Sequence, residues 1–251
     1  MSRFTDARLR IALSQQQSLL IKTCGWWRPR AVAETHCEAE LPTINEHIQQ
    51  QTWKGLRTEV TLCDSWARYF IVEPVKGLRS FSEFKRYAAV CFEEKHGLAA
   101  ADWQIEADWQ TGVPMLGVAL PKKLLHGIKE GLHKAGNTLL AIDPFFVNIY
   151  NQCFRRIQHR SVWLLAIAPQ HATLGLVMNG QWRGIRSTHI DVSAPVTDVE
   201  RLIQRCQLQF GLTHDVPMVF LPAHRNQDQS RDSGGSTPSS MYQLALSRCR
   251  P

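Results

Sequence analysis

The sequence contains no apolar run long enough to cross a membrane, which would need about 18 such residues in succession. Arg3, Arg8 and Arg10 near the N-terminus are not followed by a pure apolar stretch, so the beginning of the chain does not resemble a secretory signal. Hydrophobic residues still make up 44% of the 251 residues and charged residues 20%, which suffices for an ordinary globular core. We therefore expect a soluble protein of the cytoplasm.

The cysteines form neither a disulfide framework nor a zinc motif. They number seven, which is odd, and they are scattered along the chain. Cys91 and Cys206 lie in apolar helical stripes, where a free thiol packs as a small hydrophobe. The set that comes nearest to a metal motif is Cys24, His36, Cys37 and His47. Its spacing fits no common zinc pair, and neighbouring strand residues point to opposite faces, so we expect reduced cysteines and no metal.

Motifs of well-known catalytic sites are missing as well. The sequence has no GxSxG, no P-loop and no GxGxxG, and neither Cys63 nor Cys153 has an activating local context. Asp143 follows a predicted strand, where it could act as a base or metal ligand in a cleft. However, Asp143-Pro144 is also an ordinary helix start, and we favour this capping role. We predict no catalytic residue and no bound cofactor.

Positive charge exceeds negative charge, with a net charge of +7, but it is not concentrated. The densest groups are two pairs, Lys122-Lys123 and Arg155-Arg156. Nucleic-acid binders usually gather charge on one face or motif, so a basic nucleic-acid-binding protein is the weaker interpretation. Attraction to anionic lipid headgroups is equally compatible with this charge.

The order of predicted elements repeats. Strand, strand, strand, helix, strand occurs from residue 8 to residue 63 and again from residue 161 to residue 221. In the second copy Asn179-Gly180 marks a tight hairpin, because a type I′ turn needs a positive φ at both positions. Thr197 and Glu200 predict a capping box for the helix that starts at Pro195. The repeat indicates an α/β protein with two similar lobes and a cleft between them.

The region between the two copies supplies the clearest helix of the chain. Ser80 and Glu83 form a predicted capping box, and Gly97 stands where a left-handed C-terminal residue belongs. A strand pair, a helix, a strand and a further helix follow. We assign residues 1–157 to the first lobe, with an inserted subdomain at about 57–120, and residues 158–251 to the second lobe, including a mobile polar segment at 223–240.

Three stretches of the sequence carry a family resemblance: Val60–Pro74, Leu132–Tyr150 and Trp163–Arg186. In the first, an aspartate (Asp64) begins a turn and an Arg-Tyr pair opens the next strand. The second runs through helix, glycine, strand, Asp and helix. Together they resemble the actin-like, ribonuclease-H-derived ATPase superfamily. Within it they are similar to PilM-type pilus-assembly proteins and to the cytoplasmic domain of the type II secretion L protein (GspL).

The resemblance implies two ribonuclease-H-like lobes, each a mixed sheet with βββαβ order flanked by helices. Active members hold Mg-ATP on turns that contain aspartate and glycine. Here the first turn, residues 12–17, reads ALSQQQ and the second, residues 166–171, reads AIAPQH, with neither residue type in either. Pro169 also removes one N–H donor that would face a phosphate. The resemblance therefore implies a degenerate, non-hydrolysing member without a nucleotide cofactor.

The function implied by the resemblance is that of a non-catalytic cytoplasmic scaffold in a bacterial type IV pilus or type II secretion assembly. Such a scaffold binds a motor ATPase or the cytoplasmic tail of a membrane partner, and it reaches the inner membrane only through partners. The alternatives are an actin-like ATPase or sugar-kinase-like enzyme with an atypical nucleotide site, and a basic nucleic-acid-binding protein.

Two places in the sequence are candidates for partner binding. Trp26, Trp27 and Arg28 lie in a predicted loop, where aromatic residues beside arginine are typical of a binding hot spot. Arg68 and Tyr69 could form a partner-contacting strand edge. Equally, strand alternation would make Tyr69 a core residue and Arg68 its solvent-facing neighbour, and we favour this structural role.

Overall fold

The computed structural model describes residues 7–25, 30–157, 160–168, 170–191, 195–211 and 216–221. The chain divides into two compact units, Met1–Asn148 and Ile149–Pro251. The predicted mobile segment at 223–240 lies outside the described residues. No helix in the described ranges is both long and apolar enough to span a membrane.

The described part of the first unit contains eight strands and the helices that cover them. The strands are β1 (Ala7–Leu13), β2 (Gln17–Cys24), β3 (Arg30–Glu38), β4 (Arg57–Leu62), β5 (Arg68–Val72), β6 (Trp103–Ala107), β7 (Met115–Pro121) and β8 (Thr138–Pro144). The helices are α1 (Leu41–Ile48), α2 (Phe81–His96), α3 (Lys122–Lys134) and α4 (Phe145–Cys153), the last of which continues into the second unit.

Five of these strands form a mixed sheet in the order β3-β2-β1-β4-β8. The pairs β1–β2 and β2–β3 are antiparallel, whereas β1–β4 and β4–β8 are parallel. In β1, Leu9, Ile11 and Leu13 are buried and the residues between them face outward, as period-two alternation requires. The opposite face carries charge: Arg8 and Arg10 each lie 3.2 Å from a carboxylate oxygen of Glu59 on β4.

Helices α1 and α3 pack closely against each other beside this sheet. A Cβ at Gly131 of α3 would overlap the side chain of Asn45 on α1, and one at Gly127 would lie 2.9 Å from Leu41. Because both contact positions on α3 are glycine, the two helices approach more closely than larger side chains would allow.

A three-stranded antiparallel sheet, in the order β5-β7-β6, comes between β4 and β8 in the sequence. Helix α2 covers one of its faces, with Phe70, Phe92, Met115 and Ala119 in the shared core. The predicted ends of α2 are confirmed. Ser80 and Glu83 form the capping box, and Gly97 is the left-handed C-terminal residue with φ 64°.

The second unit repeats the strand order of the first. Its strands are β9 (Val162–Ala168), β10 (His171–Met178), β11 (Gln181–His189) and β12 (Met218–Phe220), and its helix is α5 (Pro195–Phe210). They form a sheet in the order β11-β10-β9-β12, in which only the β9–β12 pair is parallel. Helix α5 packs on a core that includes Trp163, Leu174 and Leu202. The predicted fold class, two mixed sheets with the same βββαβ order, is confirmed.

Local predictions in the second unit had mixed outcomes. The hairpin is confirmed, with φ 54° at Asn179 and 79° at Gly180. The capping box at Thr197 and Glu200 is wrong, because α5 already begins at Pro195 and Thr197 lies inside its first turn. Proline is favoured at the first helical position, where its missing N–H costs nothing, so Pro195 sets the start of the helix.

Gly117 in β7 should be intolerant of any side chain. A Cβ there would lie 2.7 Å from the Phe70 ring, inside the core beneath α2. We expect Gly117→Ala to lower the free energy of unfolding by roughly 1–3 kcal/mol through overpacking. Urea denaturation followed by circular dichroism measures this, and the loss should shrink in a Phe70→Leu background, where the ring is gone. An equal loss in both backgrounds would show that the ring is not the cause.

Candidate functional site

The turn between β4 and β5 is organised by a buried aspartate. Asp64 is 2% exposed, and its Oδ1 accepts hydrogen bonds from the Tyr69 hydroxyl at 2.6 Å and from the Phe146 backbone N–H at 3.0 Å. Phe146 is the second residue of α4, and its backbone N–H has no acceptor within the helix. Asp64, which lies 82 residues earlier in the chain, therefore acts as the acceptor for this N-terminal amide. Burial beside this carboxylate raises the pKa of the Tyr69 hydroxyl well above its ordinary value, which keeps the hydroxyl a donor.

Arg68 holds the same turn from the side exposed to solvent. Its Nη1 donates to the carbonyl oxygens of Ser65 and Ala67, each at 3.1 Å. Its guanidinium lies 5.7 Å from the centre of the Trp103 ring, within cation–π range. The turn is therefore fixed by a carboxylate on its inner side and by a guanidinium on its outer side.

The turn places Trp66 in the wall of a surface groove of about 500 Å³. The Trp66 backbone N–H donates to the Cys63 carbonyl at 3.0 Å, which closes the single 3-10 turn from Asp64 to Trp66. The groove is lined by Ala39, Glu40, Leu41, Pro42, Trp66, Pro121, Lys123 and Leu124. Most of these side chains are apolar, so the groove suits an apolar side chain of a bound chain.

Two helices begin at this groove, and both start without a side-chain cap. Helix α1 starts after Glu40 and α3 after Pro121, and neither residue's side chain accepts a hydrogen bond from its helix. Neither helix has an acidic residue in its first turn. The positive ends of two helix dipoles therefore meet at the groove beside Lys123. Glu40 is the one acidic residue that lines it. A carboxylate next to an apolar side chain would match this combination.

The first turn, where the resemblance would place a phosphate, is closed by hydrogen bonds within the turn itself. It joins β1 to β2, and Ser14 Oγ accepts hydrogen bonds from the N–H groups of Gln16 and Gln17 at 3.3 and 3.0 Å. The same hydroxyl lies 2.7 Å from the Gln17 carbonyl, to which it donates. Amides that a phosphate would need are thus already bonded within the turn. In the second turn, Pro169 lies outside the described residues, and Gln170 has a positive φ of 60°.

Asp143 does not cap α4, which corrects the sequence interpretation. Strand β8 continues through Pro144, and Asp143 pairs with Thr61 in the ladder between β4 and β8. Burial raises the pKa of the Asp143 carboxyl above its ordinary range, and the negative charge of Glu59 adds to the effect. The capping role belongs to Asp64, which the sequence marked as the start of a turn without giving it a partner.

The structure describes only some of the predicted partner-binding residues. Trp26, Trp27 and Arg28 lie outside the described residues. Tyr69 is 4% exposed and belongs to the core, as the favoured interpretation expected, whereas Arg68 is partly exposed. Sequence reasoning missed Trp66. It lies in the same short turn as the Arg-Tyr pair, but eight tryptophans made any single one ambiguous.

No family model matches the sequence, and no curated protein sequence is similar to it. Solved structures are similar in fold. The cytoplasmic domain of EpsL, an inner-membrane component of the type II secretion system of Vibrio cholerae, has 12% identity and a TM-score of 0.59 over 96% of this chain and 95% of that one. A Bacteroides thetaiotaomicron protein with an actin-like ATPase fold has 9% identity and a TM-score of 0.59 over 99% and 91%.

The chain has an actin-like fold. The PilM–PilN type IV pilus biogenesis complex supplies a further similar structure, with 11% identity and a TM-score of 0.59 over 85% of this chain and 80% of that one. The suspected resemblance to the actin-like proteins of pilus and secretion machines is confirmed at the level of the fold.

Removing the Asp64 carboxylate should destabilise the first unit. Asp64→Ala leaves the buried Tyr69 hydroxyl and the Phe146 amide without their acceptor, and we expect it to cost about 3 kcal/mol of unfolding free energy. Asp64→Asn keeps one acceptor oxygen and should cost less. Chemical denaturation of both variants measures the difference.

The matched control is Asp102→Ala, which removes an exposed carboxylate from the same unit and should change stability by less than about 0.5 kcal/mol. A double-mutant cycle with Tyr69→Phe should show that the two losses are not additive. Additive losses, or an Asp64→Ala variant as stable as the control, would contradict the assigned role of the carboxylate.

Proposed function

We propose that this protein is a non-catalytic cytoplasmic scaffold of a type IV pilus or type II secretion assembly at the inner membrane. Its groove at Trp66 takes an extended segment of a partner, either the cytoplasmic tail of a membrane protein or a segment of a motor ATPase. The observation that carries the proposal is the groove itself, with its apolar walls and two uncapped helix N-termini beside Lys123.

The groove has the features of a peptide-binding site. Tryptophan is enriched among residues that carry most of the energy of an interface, and Trp66 is held in place by the fixed turn rather than by a flexible loop. A site whose walls are fixed before binding loses little freedom when it is filled. The positive end of the groove favours a segment in which an acidic residue adjoins an apolar one.

Two further points support a scaffold over an enzyme. The amides of the Ser14 turn are already bonded within the turn, and Asp and Gly are missing from both phosphate turns. The solved structures that share the fold include a type IV pilus biogenesis complex, PilM–PilN, and the cytoplasmic domain of EpsL, a type II secretion component. We extend that setting to this chain.

The groove predicts a specific pattern of binding. The probe is a synthetic extended peptide in which an aspartate adjoins a leucine, titrated by calorimetry. Trp66→Ala should weaken binding by about 30-fold, the usual effect of losing a hot-spot aromatic side chain. Lys123→Glu should weaken it as well, because it reverses the charge at the groove end.

Trp109→Ala is the matched control. It removes an equally large indole from the same unit, where Trp109 packs edge-on against Phe81 outside the groove. Its affinity for the peptide should equal that of the wild type. Equal weakening by Trp66→Ala and Trp109→Ala would point to a general loss of structure, and no effect of either would place the partner elsewhere.

Nucleotide should not stabilise the protein. A tight site filled at about 100 times its Kd would add about 2.7 kcal/mol and raise the melting temperature visibly. We expect no change in melting temperature with Mg-ATP or Mg-ADP in a thermal shift experiment, run beside an active actin-like ATPase as a positive control. A clear upward shift would contradict the scaffold proposal and indicate an enzyme.

A further inference from the structure

The exposed face of α3 is cationic from end to end. It presents four lysines and two histidines, all exposed: Lys122, Lys123, His126, Lys129, His133 and Lys134. The spacing of four, three and four residues from Lys122 to His133 aligns four of these side chains in one row. Glu130 is the single acidic residue of the helix, and its carboxylate pairs with Lys134 at 2.7 Å.

The opposite face of α3 holds all of its large apolar side chains. Leu124, Leu125, Ile128 and Leu132 are each at most 8% exposed. The cationic face therefore offers no apolar anchor. In the described part of the chain, Lys123 and Lys129 have no carboxylate within ion-pair distance, so their charge is not neutralised by the protein.

We propose that this face of α3 binds the anionic phospholipid headgroups of the membrane's cytoplasmic surface directly. Lysine is a flexible point charge that does not require a fixed geometry of the phosphate it meets. A helix of 13 residues presents a row roughly 20 Å long, which suits a flat surface of many headgroups. Juxtamembrane basic clusters are attracted to such surfaces by their summed charge.

The composition of the face disfavours two other partners. Protein interfaces are depleted in lysine at their centres and depend on buried aromatic or arginine anchors, and α3 exposes neither. Sites that read a nucleic-acid sequence or stack its bases rely on paired arginine contacts and on aromatic side chains, which this face also lacks.

Binding to headgroups does not depend on the proposed groove, although the two surfaces adjoin. Lys123 lies both on the cationic face and in the groove wall. If the proposed function is correct, a partner tail leaving the membrane surface would reach the groove at the start of the same helix. Membrane contact through partners would then be reinforced by contact through the protein's own helix.

The test uses the full chain and co-sedimentation with vesicles. One set contains roughly one-third phosphatidylglycerol in phosphatidylcholine, and the other contains phosphatidylcholine alone. The variant is Lys122→Gln with Lys129→Gln, which removes both lysines of the row and spares the groove-lining Lys123. Because each lysine at an anionic surface contributes roughly fivefold to binding, the variant should bind the anionic vesicles about 30-fold more weakly. Raising the salt concentration should weaken wild-type binding as well.

The control is Lys76→Gln with Arg79→Gln, which removes two exposed charges from the segment before α2 and should bind as the wild type does. Peptide titration of the variant separates this inference from the groove, since the groove side chains are unchanged. The proposal is overturned if the wild type ignores anionic vesicles, binds neutral ones equally, or is matched by the α3 variant. Binding to polyglutamate without binding to vesicles would overturn it in favour of an acidic protein partner.

Discussion

The first unit depends on one buried carboxylate. Asp64 connects a turn, a strand and a distant helix, because one oxygen accepts from Tyr69 in β5 and from the first turn of α4. A buried carboxylate without donors would be expensive, so each of these groups needs the others in place. The position of Trp66, and with it one wall of the groove, follows from this arrangement.

The two units share one strand order, and the turn after the first strand of the first unit is closed by its own hydrogen bonds. Both units keep the strand order that brings β1 beside β4 and β9 beside β12. In the short connection after β1, Ser14 Oγ accepts hydrogen bonds from the N–H groups of Gln16 and Gln17. These hydrogen bonds hold the turn between β1 and β2 tight from within.

Sequence reasoning succeeded where the determining contacts are local. Strand alternation predicted the repeated order of strands and helix, and Ser80 with Glu83 predicted the start of α2. Both signals act within a few residues of the chain. Sequence reasoning failed at Asp143, because the Phe146 amide at the start of α4 is bound by the carboxylate of Asp64, which lies 82 residues before Phe146. The groove also could not be predicted from local signals, because its walls come from segments near residues 40, 66 and 122 that meet only in the folded unit.

The close contact between α1 and α3 has a thermodynamic consequence for recognition. With glycine at positions 127 and 131 against Leu41 and Asn45, the two helices have little room to slide or part. The spacing of their N-termini is therefore set during folding. A segment that docks between them would lose its own conformational entropy, whereas this protein would lose almost none. The heat released on binding should therefore scale with the contacts that form, because the protein itself does not rearrange.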